Sequence, residues 1–300
     1  MTRKILDVQE RITDVITIVE GISLGFIYAL VAMGYSLIYR TTGVVNFAQG
    51  AFVMVGGMAT YWALGVMHMP FVVAVIVGLL ITALVGLILW MALVLPLWKR
   101  GSAGFVVILA TLVFGDLADN VFEKWLGTNP ESLPAWVSGR LVIGSFGISF
   151  EYLVIIVVSL IIMIAVGLFL AKTSTGIAMR ACAADRVTSQ LLGISPQSVG
   201  AIAMVSTAIF GGLAGIMLAP VQYTSYSIGL TYGIFGFVAA IIGGFGSLPG
   251  AVVGGIAVGL IESIAGRYVS STYEVVIALV LLLVLLVIRP AGLLGKATDI

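Results

Sequence analysis

Residues 43–65, GVVNFAQGAFVMVGGMATYWALG, are mostly apolar yet carry Asn46, Gln49 and, beyond Gly43, four glycines (Gly50, Gly56, Gly57 and Gly65). Whether this segment crosses a bilayer or dips in and returns decides on which side everything before it lies. A buried amide is costly unless it is hydrogen-bonded or wetted. Irregular backbone at membrane depth is tolerated only against protein or a cavity. The stretch therefore points to the interior of a membrane protein.

The whole chain agrees. Its 300 residues are 61% hydrophobic and only 9% charged, where a soluble domain carries roughly 25% charge and covers its surface with it. A hydrocarbon core of about 30 Å needs roughly 20 apolar residues per helix. Full spans are expected at 15–39, 71–98, 103–122, 152–171, 198–220 and 274–288, with a polar loop at 128–150. Two short apolar pieces, 232–243 and 251–264, flank GGFGSLPG, and the first would be roughly 18 Å long, too short to cross alone. The expected fold is an all-α polytopic membrane protein, one transmembrane domain over 1–300. It has about six full spans plus two Gly-rich interrupted or re-entrant segments, 8–10 hydrophobic segments in all. The glycines also have an ordinary use, in letting helices pack closely.

Basic residues orient such a chain. If 43–65 and 232–264 both return to the side they entered from, ten of the fourteen Lys and Arg share a side with both termini and 172–196. If 43–65 crosses, the split falls to eight against six. The first arrangement is the expected one, with both termini cytoplasmic. GAFVMVGG (50–57) and GAVVGG (250–255) form a faint internal echo, and interrupted Gly-rich segments in two halves of a transporter point to its binding site.

Between two spans, TSTGIAMRACAADRVTSQLLGISP (173–196) is polar and punctuated. Ser174 or Thr175 is expected to cap a helix at about 176–184, and Asp185 a second at about 186–192. Gly193 suits the position after that helix, and Ser195-Pro196 opens the next span. Val187, Leu191 and Ile194 form an apolar stripe that is costly in water unless something covers it, be it the protein's own helices or a docked partner.

This stretch resembles the cytoplasmic coupling segment of the permeases of branched-chain amino acid ABC importers. Three further stretches resemble the same family in order: GISLGFIYALVAMGYSLIYRTTGVVNFAQG, AAIIGGFGSLPGAVVGGIAVGLIES and STYEVVIALVLLLVLLVIRPAGLLG. The chain is similar to the shorter, H-type inner-membrane subunit. The resemblance implies a bacterial inner-membrane location and partnership with a homologous, longer M-type permease subunit. It also implies two cytoplasmic ATP-binding subunits and a periplasmic substrate-binding protein. It places Gly176, Arg180, Ala181, Ala184, Asp185, Leu192 and Gly193 at the ATPase contact. Tyr28, Tyr35, Asn46, Phe47, Gln49, Gly50, Gly243, Gly244 and Gly246 are the candidates for the translocation path; helix-to-helix bonding is the alternative for Asn46 and Gln49, and aromatic packing for Tyr28 and Tyr35, which stand seven apart on one helix face. The sequence departs from the family at Gln49, where His is usual, and at Glu20, where Asn is frequent. Branched-chain amino acids rank first as substrate on resemblance, before urea, short amides or aromatic acids.

No G-x-x-x-x-G-K-[ST] occurs, so ATP and Mg are expected on partner chains and no cofactor on this one. A gradient-driven carrier would place paired charges centrally in several spans, whereas the centres of 71–98, 152–171 and 274–288 have none. An intramembrane enzyme would need a nucleophile, base or metal constellation, and His68 stands without a second ligand. With net charge +1, no nucleic-acid partner is expected. Cys182 is the single cysteine. MTRKILDVQERITD runs into the first span without a cleavage-site pattern, so no cleaved signal peptide is expected. Asp116, Asp119 and Glu123 share a helix face that reads as a wetted outer mouth or a solvated helix end. Glu262 and Arg267 read as a local ion pair or an intramembrane site. Tyr223, Tyr226 and Tyr232 read as an interfacial belt.

Overall fold

The computed structural model describes residues 2–137, 139–143, 146–269, 273–289 and 291–295, with side chains outside 2–12, 141–143, 146 and 274. The helices are α1 (Thr2–Thr42), α2 (Gln49–Tyr61), α3 (Phe71–Leu89), α4 (Leu95–Lys99), α5 (Gly104–Leu126), α6 (Phe150–Lys172) and α7 (Ser174–Ala184). They continue with α8 (Arg186–Leu191), α9 (Pro196–Leu218), α10 (Ile228–Gly243), α11 (Leu248–Tyr268) and α12 (Glu274–Ile288). π-helical turns extend α2 through Trp62–Val66 and join α3 to α4 through Trp90–Val94. Among the described residues six helical stretches are long and apolar enough to cross a membrane: 13–42, 71–99, 104–126, 150–172, 196–218 and 248–268. The chain is an all-α polytopic membrane protein.

The six differ in membership from those expected. The helix containing 251–264 starts at Leu248, where Ser247 Oγ accepts from Gly250 N (3.1 Å) and proline occupies the first turn, and it runs 21 residues. It is a full-length span, while Val275–Ile288 in α12 is the shorter piece. Between α5 and α6 the polar loop contains a hairpin, β1 (Arg140–Ile143) antiparallel to β2 (Phe146–Ser149). Glu151 ties that loop to α6 by accepting from Trp136 N (2.9 Å) and Val137 N (3.3 Å).

Helix directions follow from side-chain contacts. Asp14 pairs with Arg267 (2.9 Å) and Thr17 O accepts from Ser263 Oγ (2.7 Å), whereas Tyr39 packs its ring on Phe245 (4.8 Å). Hence α1 and α11 are antiparallel, and α7 lies at the Tyr39 end, where Arg40, Gly43, Cys182, Arg186 and Gly295 border one cleft. Asp14 is thus at the opposite end of the bundle from α7 and Gly295. Asp14 and Gly295 lie at opposite ends because 43–66 runs from one end of the bundle to the other. Residues 43–48 run without helix from the α7 end into the bundle, and α2 with its π turn continues to the other end, where Trp62 meets Trp125 (5.1 Å). Arg267 pairs with Asp14 and not with Glu262, since α1 is the helix beside it.

The second half repeats this plan in reverse. Residues 219–227 enter from the far end without helix, and α10 continues to the α7 end. α9 packs on α2 and α3 as α1 packs on α10 and α11. The half-helix in α2's position is therefore α10, so the echo between 50–57 and 250–255 does not mark equivalent places. Glycine permits the contacts: a β-carbon on Gly50 would meet the carbonyl of Gly229, and one on Gly25 would lie 2.7 Å from Ile256 Cα. Close backbone approach of this kind, rather than apolar burial, drives helix association in lipid. Outward-facing Leu80, Leu84, Val113, Ile161 and Leu283 are 55–66% exposed, as suits a surface facing acyl chains.

Candidate functional site: a half-helix crossing and a capped helix pair

Two places gather the functional candidates. The first is where the opening turns of α2 and α10 cross at Gly50 and Gly229, both buried. Asn46 shapes this point. Its Oδ1 accepts from Ala48 N (3.1 Å), its Nδ2 donates to Met204 Sδ (3.6 Å), and Thr111 Oγ1 accepts from Phe47 N (3.1 Å). These bonds satisfy backbone and amide groups that the non-helical 43–48 segment would leave bare. Gln49 Nε2 donates to Thr207 O (3.3 Å), while its Oε1 is buried without a hydrogen-bond partner among the described residues. α10 begins with no side-chain cap.

A cavity of about 70 Å³ lies at the crossing, lined by Tyr35, Phe47, Gly50, Asp116, Asp119, Gly229, Gly233 and Phe237 among others. α5 extends to Leu126, so Asp116 and Asp119 stand near its middle and on the cavity wall, not at an outer mouth. Asp119 Oδ1 is buried and has no hydrogen-bond partner among the described residues. Below the cavity, aromatic rings in edge-to-face and tilted contact form a continuous row toward the α7 end. Tyr35 meets Phe237 at 5.5 Å, Phe237 meets Phe47 at 5.0 Å and Phe245 at 5.9 Å, and Phe245 meets Tyr39 at 4.8 Å.

Of the candidate path residues, the structure brings Tyr35, Phe47 and Gly50 to the cavity, with Asn46 and Gln49 packed behind it. Tyr28 is buried one turn-pair away on α1, stacked on Phe235 (5.0 Å) and near Tyr232 (6.0 Å). Tyr232 accordingly faces the interior, not an interfacial belt. Gly243, Gly244 and Gly246 lie apart, in the turn from α10 to α11. There Gly244 (φ +106°) and Gly246 (φ +84°) need the left-handed backbone that glycine adopts freely. Residues 293–294 close over the turn through Leu293 N to Ile242 O (2.8 Å) and Leu294 N to Gly243 O (2.9 Å). Sequence reading did not select Gly229, Gly233, Phe237 or Phe245, which reach the site only through the long-range crossing.

The second place is α7–α8. Thr173, one residue before the expected caps, caps α7: its Oγ1 accepts from Gly176 N (3.0 Å) and donates to Phe169 O (2.7 Å). The extended φ and ψ that a cap needs occur at Thr173, because α6 ends there. Asp185 terminates α7 and caps α8, its Oδ1 accepting from Val187 N (2.9 Å) and Thr188 N (3.3 Å). The Thr188 hydroxyl also donates to Oδ2. The hydroxyl bond first, then the two amides, hold this carboxyl below the usual carboxylate range. Gly193 (φ +81°) ends α8, and Ser195 Oγ accepts from Ser198 N (3.4 Å) before Pro196.

α7 is fixed to the bundle. A β-carbon on Gly176 would lie 2.5 Å from Leu170 Cα, and Met179 and Cys182 are buried. Arg186 spreads its guanidinium over Trp98 at 5.0 Å, and burial pulls its pKa down. Arg180 Nη2 donates to Ala171 O (3.2 Å). Ala181 is half-buried, Ala184 exposed. Val187, Leu191 and Leu192 remain 68%, 82% and 75% exposed, whereas Ile194, the third residue of the expected stripe, packs against the core, so this chain's own helices cover only that end of it. Among the described residues no group of three His, Cys, Asp or Glu is placed to hold a metal ion.

The family described as branched-chain amino acid transport system / permease component matches residues 17–286. The high-affinity branched-chain amino acid transport system permease protein LivH of Escherichia coli is 30% identical over 92% of this chain and 94% of its own length. BraD of Pseudomonas aeruginosa, a permease protein of the same description, is 29% identical over 93% and 95%. A probable branched-chain amino acid transport permease protein LivH of Methanocaldococcus jannaschii is 30% identical over 89% and 88%. Among solved structures, PsaBC from Streptococcus pneumoniae in complex with Fab shares the fold, with a TM-score of 0.51, 12% identity and 91% of each chain covered.

Proposed function

The chain belongs to the branched-chain amino acid transport system permease family, and we propose that it forms half of a translocation path for branched-chain amino acids in a bacterial inner membrane. As a membrane subunit of an ABC transporter it works with partner subunits. The partners proposed are a homologous M-type permease, two cytoplasmic ATP-binding subunits that hold ATP and Mg, and a periplasmic binding protein that delivers substrate. The α7 end is then cytoplasmic.

The observation that carries this reading is the capped α7–α8 pair, locked to the bundle through Gly176 yet exposing Val187, Leu191 and Leu192. An apolar edge on a rigid arm suits a docked subunit whose motion must reach the spans. The cavity suits a zwitterion. Asp116 and Asp119 line one wall, where an ammonium group is favoured. The start of α10, which has no side-chain cap, lines the same cavity, and its helix dipole favours a carboxylate. The aromatic row from Tyr35 to Tyr39 closes the way toward α7 in this state. Asn46 and Gln49 hold the crossing in shape.

The test is ATP hydrolysis by the chain co-assembled in lipid with its M-type partner, ATP-binding subunits and binding protein. Stimulation by leucine is the expected result. An intact complex whose hydrolysis ignores leucine, isoleucine and valine overturns the substrate assignment. A folded chain that assembles with no ATP-binding subunit overturns the importer reading.

A further inference from the structure

A groove of about 310 Å³ lies apart from the half-helix crossing and runs beneath α7, between α1, α6, α7 and α11. Its walls are apolar, with Met33, Leu37, Met163 and Val252 among them, and Arg40 and Arg180 line it as well. Gly167 also lines the groove: nothing lies within 4 Å of where its β-carbon would stand. On the same helix Ile164 and Leu168 are 54% and 49% exposed, so the groove adjoins a bilayer-facing surface.

Both arginines are exposed, and among the described residues neither forms a salt bridge. Arg180 spends one donor on Ala171 O, and a guanidinium has five N–H donors in a planar fork that fits phosphate oxygens. An apolar groove opening to lipid, bordered by two unpaired cations at the end of two spans, matches one occupant. It must present a fatty chain and a phosphate together. An apolar helix of a protein partner would fill the groove but desolvate both cations without compensation, unlike a lipid with a phosphate diester.

We infer that this groove is a site for an anionic glycerophospholipid, one acyl chain lying between α1 and α6 and the headgroup phosphate held by Arg40 and Arg180. Because Arg180 belongs to α7, the lipid ties the coupling segment to the membrane as well as to the bundle.

The test is native mass spectrometry of the full-length chain released from nanodiscs of mixed phosphatidylglycerol and phosphatidylcholine. Wild type is expected to retain phosphatidylglycerol in preference. Arg40→Gln is expected to lower that preference about fivefold, the effect of one arginine on an anionic headgroup. Gly167→Leu, which fills empty space and raises helix propensity, is expected to retain one tightly held lipid fewer at an unchanged melting temperature. Equal phosphatidylglycerol retention by wild type and Gly167→Leu overturns the groove. A preference untouched by Arg40→Gln overturns the headgroup contact. Displacement of the held lipid by millimolar leucine would make this a substrate site and overturn the proposal.

Discussion

Replacing Leu191 and Leu192 together with alanine separates docking from folding. These side chains are 82% and 75% exposed, so their removal takes almost nothing from this chain's own packing. Exposed substitutions of this kind stay within about 0.5 kcal/mol. On a partner the balance reverses. Full burial of a leucine side chain contributes about 1.5–3 kcal/mol. Discounting for the part already covered and for the β-carbon that alanine keeps leaves roughly 1–2 kcal/mol each. The pair then weakens an ATP-binding subunit's affinity by roughly 30- to 1,000-fold at 1.4 kcal/mol per decade. The assay is biolayer interferometry of the nanodisc-held chain against the purified subunit, with thermal unfolding of the chain as the control. Affinity within threefold of wild type, at an unchanged melting temperature, would refute the assignment of this edge as the docking surface.

Three further outcomes follow from the same geometry. Asp185 is held below its ordinary pKa, so its contribution to α8 is complete above the unfolded value of about 3.9 and is lost as pH falls through the lower folded value. Amide exchange at Val187 and Thr188 should therefore accelerate, relative to intrinsic rates, only in that acidic window, and Asp185→Asn should flatten the dependence; an identical pH profile in the variant would remove Asp185 as its cause. Asn46→Leu deletes the acceptor for Ala48 N and is expected to cost about 1 kcal/mol of thermal stability and to slow leucine uptake, while Asn46→Asp keeps the acceptor and retains more of both. Equal losses in the two variants would show that the hydrogen bond from Ala48 N is not what matters. Phe237→Ala removes the ring shared by Tyr35, Phe47 and Phe245, and vesicles carrying the complex should leak preloaded leucine without ATP; tight vesicles would place the closure elsewhere.

Much of this protein was legible in local signals. The run lengths gave the membrane class, and short-range chemistry placed Asp185, Gly193 and Ser195-Pro196 in the roles they occupy. The N-cap was missed by one residue because Thr173, Ser174 and Thr175 offer three neighbouring hydroxyls, and only the end of α6 decides among them. The hairpin could have been read: LVI and FGI flank Gly144-Ser145 in the sequence, a two-residue turn signal, but the prolines nearby suggested loop. The crossing of 43–66 was less accessible. A half-helix preceded by irregular backbone looks like a re-entrant segment until its partner is known. That partner, α10, is held against it by Gly50 and Gly229, 179 positions apart in the chain. The weak basic bias could not settle the matter, since the two topologies differ by only two residues on the basic side. Asp116 and Asp119 were misplaced for a related reason: α5 runs four residues beyond the expected span, to Leu126, which puts both acids beside the crossing.

Cys182 is the single cysteine of the chain, and its replacement by serine makes room for one clean reporter. Leu112 lines the cavity at the crossing, so Leu112→Cys in that background tests whether substrate passes there. The assembled complex in lipid would be treated with a small ammonium methanethiosulfonate reagent, at rest and during ATP turnover, with and without leucine. The expected result is slow labelling at rest, faster labelling during turnover and protection by leucine. Labelling that is equally slow in every state, in a complex that still transports leucine, would contradict a path through the crossing of α2 and α10.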